Sequence, residues 1–114
     1  GYRQMFGVRE INAAALKKML DEGQRVRLID VRSASEVAQG MIQGAEVMPL
    51  HTLPMRLNDL PKDETIVFYC RSGARSAQAC MFVSQNAGLE PLNLQGGIIG
   101  WYQSGYQLVL PNAA

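Results

Sequence analysis

The chain has 114 residues, of which 47% are hydrophobic and 18% charged, enough for one domain with a core that needs no metal or disulfide staple. Its formal net charge of +1 excludes a long-range field for nucleic acid or an anionic membrane, so any attraction for anions must be local. No apolar stretch approaches a membrane span or the core of a secretory leader, which predicts a cytoplasmic protein; because the chain begins at Gly1 rather than Met, a removed leader and a periplasmic setting are the alternative.

In chain order, Val8 to Ile11 reads as an edge strand. Asn12 is an N-cap for a helix from Ala13 to Glu22, with Leu16, Met19 and Leu20 on one face and Gly23 at the C′ position. Val26 to Val31 reads as a strand carrying Asp30 near its end. A short helix is expected around Ser35 to Gln39, closed by Gly40, then a strand over Ala45 to Leu50 interrupted at Pro49. Leu53 to Leu60 is weakly helical and Pro61 ends it. Thr65 to Tyr69 is a continuous apolar run, which suits a strand buried on both faces of a parallel sheet. The strongest helical pattern is Ala74 to Ala87, with Ala77, Cys80, Met81 and Ser84 on one stripe and Gly88 as the stop. Pro91 to Leu94 is a last short strand, and Gly96-Gly97 leads into Ile98 to Ser104. Strands alternating with helices predict an α/β fold, a central parallel sheet of four to five strands with helices on both faces. The whole chain, 1–114, is one domain with its recognisable core at about 11–104.

Ligands of such sheets lie outside the carboxyl ends of the strands, where both Asp30 and Cys70 fall. Cys70 opens Cys70-Arg71-Ser72-Gly73-Ala74-Arg75-Ser76, a stretch holding a nucleophile, two cations, a glycine and two hydroxyls within seven residues. A cysteine at a strand-to-helix turn faces the amide donors and positive end of the helix, which favour thiolate over thiol and bind anions. Gly73 lets consecutive N–H groups converge on the sulfur as a nest. A buried, inert thiol is the commoner fate of a free cysteine, but the flanking Arg71, Gly73 and Arg75 favour the reactive reading. The two arginines suit substrate capture or bracing of the loop, and the pattern does not say which does which. Asp30 and Arg32 read as structural support, paired with each other or with the loop.

Cys80 falls on the helical stripe and reads as a core cysteine rather than a resolving thiol. Two cysteines ten apart form neither a disulfide framework nor a zinc site, and no metal or cofactor is expected. The only histidine, His51, reads as a surface residue, and Trp101 as one that closes the core.

Four segments together resemble the rhodanese (sulfurtransferase) family: Leu28-Ile29-Asp30-Val31-Arg32 with Glu36; Gly40-Met41-Ile42-Gln43-Gly44-Ala45; Val67 to Ser76; and Leu94-Gln95-Gly96-Gly97-Ile98-Ile99-Gly100-Trp101. They stand in the family's order from about Ile11 to Trp101. Met41 replaces a frequent histidine and Val47 a common asparagine, which makes that loop drier. The resemblance implies a rhodanese fold and a Cys70 persulfide held by the loop from Arg71 to Ser76. It also implies a Glu36 brace on Arg75. The expected reaction moves one sulfur from a small anionic donor such as thiosulfate to a thiol, cyanide or a sulfur-carrier protein. Two alternatives share the fold. A cysteine-dependent phosphatase or arsenate reductase would have five residues between cysteine and arginine, whereas Cys70 and Arg75 have four. A non-catalytic binding module of the family usually lacks the cysteine.

Overall fold

The computed structural model describes residues 2–5 and 7–111, residues 2–5 by their backbone alone. Among these, six strands form one sheet: β1 (Tyr2–Met5), β2 (Val8–Ile11), β3 (Val26–Asp30), β4 (Glu46–Val47), β5 (Thr65–Tyr69) and β6 (Leu92–Leu94). Their order is β1-β2-β6-β5-β3-β4. The five strands from β2 to β4 run parallel, and β1 folds back antiparallel on β2. The strand expected at the edge, Val8–Ile11, therefore lies one place in, because β1 covers its outer side.

β5 occupies the interior of the sheet, which its unbroken apolar sequence anticipates. Ile66 and Phe68 face one layer of helix, and Val67 and Tyr69 face the other. On the first side, Ala79, Cys80 and Val83 of α4 (Ala74–Ala87) and Leu53 of α3 (Leu53–Arg56) close over Ile29, Val31, Ile66 and Phe68. On the second, Ala13 and Leu16 of α1 (Ala13–Asp21) and Ile98 and Trp101 of α5 (Gly97–Gln103) close over Leu28, Val67, Leu92 and Leu94. Each large side chain fully buried there, Phe68 and Leu16 among them, contributes roughly 1.5–3 kcal/mol relative to exposure.

The expected local signals hold at α1, where Asn12 Oδ1 accepts from the Ala15 N–H at 2.7 Å and Gly23 follows the C-cap with φ +72°. Elsewhere the boundaries move for identifiable reasons. The helix expected at Ser35 to Gln39 is α2 (Ala34–Val37), begun earlier by a Ser33–Glu36 capping box. The strand expected over Ala45 to Leu50 keeps only Glu46–Val47, because Pro49 has no N–H and Leu50 opens a 3₁₀ turn. The weak helix over Leu53 to Leu60 is α3 flanked by 3₁₀ turns at Leu50–Thr52 and Leu57–Asp59. In α4 the bounds are as expected but the buried stripe is Ser76, Ala79, Cys80 and Val83, not Ala77, Cys80, Met81 and Ser84; Met81 and Ser84 are exposed. Among the described residues no helix is long and apolar enough to cross a membrane.

Candidate active site

Cys70 follows β5 directly and packs with the cluster of Ile66 and Phe68, so the strand aims its side chain at α4. It is 1% exposed. The chain then turns through Gly73, whose φ of +118° is open to glycine and strained for other residues. Gly73 is the N-cap of α4 and has no side chain to bond the first-turn amides. The Cys70 sulfur takes that place. Its Sγ accepts from the Gly73 N–H at 3.1 Å, the Ser76 N–H at 3.4 Å and the Ser76 hydroxyl at 3.3 Å. Ser76 is the third residue of the helix, the position whose N–H a capping side chain ordinarily serves. Burial pushes the Cys70 thiol up, but hydrogen bonds from the Ser76 hydroxyl and from the Ser76, Gly73 and Ser72 amides outweigh it and hold the thiol below its ordinary value.

The loop carbonyls are fixed from the opposite layer. Ile98 N–H donates to Cys70 O at 2.9 Å and Ile99 N–H to Arg71 O at 3.2 Å, so the start of α5 is bonded to the cysteine loop. Gly97 makes that approach possible. A Cβ built there would lie 2.4 Å from Arg71 O and 2.6 Å from Cys70 O, and its φ is +58°.

Asp30 and Arg32 brace the neighbouring strand end. Asp30 stands level with Tyr69 in the β3–β5 register. Its carboxylate accepts from the Arg32 backbone N–H at 3.0 Å and from the Arg32 guanidinium, with Nη2 at 2.8 Å, and Nη2 also reaches Gly40 O at 2.7 Å. Burial lowers the Arg32 pKa, but the Asp30 hydrogen bonds and charge raise it further, so the guanidinium stays charged in the core. Tyr69 joins this cluster, its hydroxyl accepting from the Ile42 N–H at 3.1 Å. Burial raises the Tyr69 pKa far above the phenol range. Breaking one half of so buried a pair costs about 3–5 kcal/mol. The turn it fixes leads into α2 and places Glu36.

Glu36 meets Arg75 in a bidentate pair, Nη1 to Oε1 at 2.7 Å and Nη2 to Oε2 at 2.8 Å. The Arg75 hydrogen bond holds the Glu36 carboxyl at about 2, against a smaller opposing effect of burial, with the Ser33 amide and hydroxyl adding to the depression. The guanidinium of Arg75 is thus engaged across the loop. Arg71 is exposed and, among the described residues, makes no side-chain hydrogen bond or ion pair; Ser72 and Ala74 are exposed beside it. Met41 is buried, and its N–H and C=O both bond Val109 at 2.8 Å. Val47 is half-buried opposite Asp30.

Cys80 lies on the buried side of α4, 3% exposed, and burial, with smaller contributions from Glu10 and Cys70, pushes its thiol up to about 12. Both thiols are free. His51 is exposed on its 3₁₀ turn, and among the described residues no hydrogen bond joins it to Cys70. Trp101 is buried, its indole N–H donating to Gln107 O at 3.1 Å.

Three residues of the site escape sequence reasoning: Tyr69, Gly97 and Asn93. The signal for Asn93 is a polar residue interrupting Leu92-Asn93-Leu94, and it is 1% exposed. Its amide Nδ2 donates to Gly73 O at 3.1 Å and to Glu10 Oε2 at 3.2 Å. What these residues assemble is a buried cysteine sulfur in a ring of hydrogen-bond donors, with the exposed Arg71 at its rim.

A family model of the rhodanese-like domain matches residues 12–104. The chain belongs to the rhodanese family of sulfurtransferases. It is 45% identical over 104 residues to a sulfurtransferase of Allochromatium vinosum, covering 91% of this chain and 97% of that relative. It is 38% identical over 94 residues to the putative sulfurtransferase YtwF of Bacillus subtilis, covering 82% and 90%. The rhodanese fold itself is matched by the crystal structure of a rhodanese-like domain protein from Staphylococcus aureus, with a TM-score of 0.81, 33% identity, and 90% and 98% of the two chains covered.

Proposed function

We propose that this rhodanese domain carries one sulfane sulfur on Cys70, taken from a small anionic donor such as thiosulfate and given to a thiol, cyanide or a sulfur-carrier protein. The observation that carries the reading is the ring of Ser72, Gly73 and Ser76 donors around a sulfur only 1% exposed. The Cys70 thiolate attacks the outer sulfur of thiosulfate. The S–S bond of the donor breaks and sulfite leaves with the electron pair. Cys70 is left as a persulfide whose charge sits on the outer sulfur. An acceptor nucleophile then attacks that sulfur and the Cys70 thiolate departs, so the cycle needs one cysteine and no redox partner.

The division of labour between the cations follows from their engagement. Arg71, exposed beside Cys70, draws the anionic donor, while Arg75 braces the loop through Glu36. The amides of the loop from Arg71 to Ser76, with Gly73 and Ala74 at its turn, hold the persulfide. Asp30 and Arg32 fix the adjoining strand end. The deep sulfur favours a slender terminal atom over a tetrahedral phosphoryl group. An oxyanion-binding arginine would have to turn its fork to the anion, and that of Arg75 is committed to Glu36. A cytoplasmic setting, where thiol acceptors stay reduced, suits this chemistry.

Intact-mass spectrometry after incubation with thiosulfate should show one added sulfur that cyanide removes and that Cys70→Ser never acquires. An unchanged mass with thiosulfate, polysulfide and persulfide donors alike would sink the transferase reading. Hydrolysis of an aryl phosphate by the wild type but not by Cys70→Ser would put a phosphatase in its place.

A further inference from the structure

The Ser76 hydroxyl is surrounded by more acceptors than it has protons. Its oxygen lies 3.3 Å from Cys70 Sγ, 3.3 Å from Gly73 O and 2.5 Å from Asn93 Oδ1. One hydroxyl has one proton to give. The orientation of Asn93 follows from its other end, since a carbonyl can only accept and Gly73 O must therefore face the Asn93 NH₂. That leaves Oδ1 towards Ser76. An amide oxygen has no proton, so the Ser76–Asn93 bond exists only when Ser76 donates. Ser76 and Asn93 are at most 1% exposed, which keeps bulk water from supplying a second donor.

We propose that Asn93 is a positioning residue that tunes Cys70 by competing with it for the single Ser76 proton. While Cys70 is a neutral thiol, Ser76 donates to Asn93 and its oxygen is free to accept the S–H. When the thiol loses its proton to solvent, the hydroxyl swings to the negative sulfur, because the charge-assisted bond is the stronger, and Asn93 Oδ1 loses its donor. Once a second sulfur is attached, Sγ is neutral again and the hydroxyl returns to Asn93. Asn93 therefore opposes the bare thiolate and favours the sulfur-loaded state. It keeps the thiol from becoming so acidic that its nucleophilicity falls. This builds on the persulfide reading above, but its test follows ionisation of the thiol and requires no turnover, so either can fail alone.

The measurement is the pH dependence of Cys70 alkylation by iodoacetamide, resolved from Cys80 by peptide mass spectrometry. Ser76→Ala should raise the midpoint and Ser76→Thr should restore it. Asn93→Ala should lower it, with about a tenfold increase in the acid dissociation constant. Added to Ser76→Ala, Asn93→Ala should change nothing. A midpoint that rises in Asn93→Ala, or that moves equally with and without the Ser76 hydroxyl, overturns the proposal. A second measurement leaves Asn93 intact, in case its replacement unfolds the protein. The side-chain carbonyl ¹³C resonance of Asn93 in the wild type should titrate with Cys70, and in Ser76→Ala it should not. A resonance that stays still in the wild type, or that titrates as strongly without the hydroxyl, equally overturns the proposal.

Discussion

Replacing Gly97 with alanine tests the contact that binds α5 to the cysteine loop. The new Cβ would lie 2.4 Å from Arg71 O and 2.6 Å from Cys70 O, both backbone atoms that no rotamer change can move. The left-handed φ of +58° adds about 1–2 kcal/mol for any residue with a Cβ. The overlap adds about 1–3 kcal/mol more, whether it is met by strain or by parting the hydrogen bonds from Ile98 and Ile99. The sum is about 2–5 kcal/mol. At a slope of about 1.5 kcal/mol per molar urea, the unfolding midpoint falls by roughly 1.3–3.3 M. Gly23→Ala is the control, because its φ is +72° with nothing within 4 Å of the added carbon. It should lose only the conformational share of about 1–2 kcal/mol. Urea unfolding followed by far-UV circular dichroism measures both variants. A Gly97→Ala loss no larger than that of Gly23→Ala would refute the steric argument and with it the claim that α5 holds the loop by direct approach.

Three further outcomes can be checked. Glu36 is held at about 2 against an ordinary value of 4.5, so its contribution to stability is complete above pH 4.5 and lost as the pH falls towards 2. Glu36→Gln should therefore be less stable at neutral pH and show a flatter decline across that window, and parallel acid-unfolding curves for variant and wild type would refute the brace. Native protein treated with iodoacetamide near pH 8 should take one adduct, on Cys70, and two only in urea, because burial keeps the Cys80 thiol near 12. Two adducts under native conditions would contradict the core assignment of Cys80. Arg71→Ala should raise the half-saturating thiosulfate concentration about three- to tenfold without moving the urea midpoint, as fits one exposed charge facing an anion. Unaltered saturation would remove Arg71 from donor binding.

The sequence is most informative where local chemistry decides. The apolar run Thr65 to Tyr69 places the interior strand, and the bounds of α4 follow from Gly73 and Gly88. The phase of α4 does not follow, because a local stripe rewards Met81 for being apolar, whereas the helix is rotated to present Ser76 to the sulfur. Val8 to Ile11 reads as an edge because its partner β1 has no alternating pattern to announce it. At the site, Cys70 and its loop stand out as a contiguous motif. Asn93 and Gly97 do not, since their partners are distant in sequence: Asn93 reaches Gly73 across 20 residues and Glu10 across 83. Ser33-x-x-Glu36 could have been read as a capping box, which would have moved the start of α2. Nothing local ties that carboxylate to Arg75, 39 residues away.

A helix of fourteen residues normally carries its own fastening at the N-terminus, and α4 does not. Its first turn is secured by an atom borrowed from the residue that follows β5, and that atom is the one that reacts. The bookend of the helix is therefore not fixed in charge. It tightens when Cys70 is anionic and slackens when the sulfur is neutral or alkylated, so amide exchange at Ser76 and its neighbours should register the chemical state of the sulfur. Chemistry at a single atom would in this way be written into the fraying of a whole element, and a probe on the outer face of α4 could read it without touching the site.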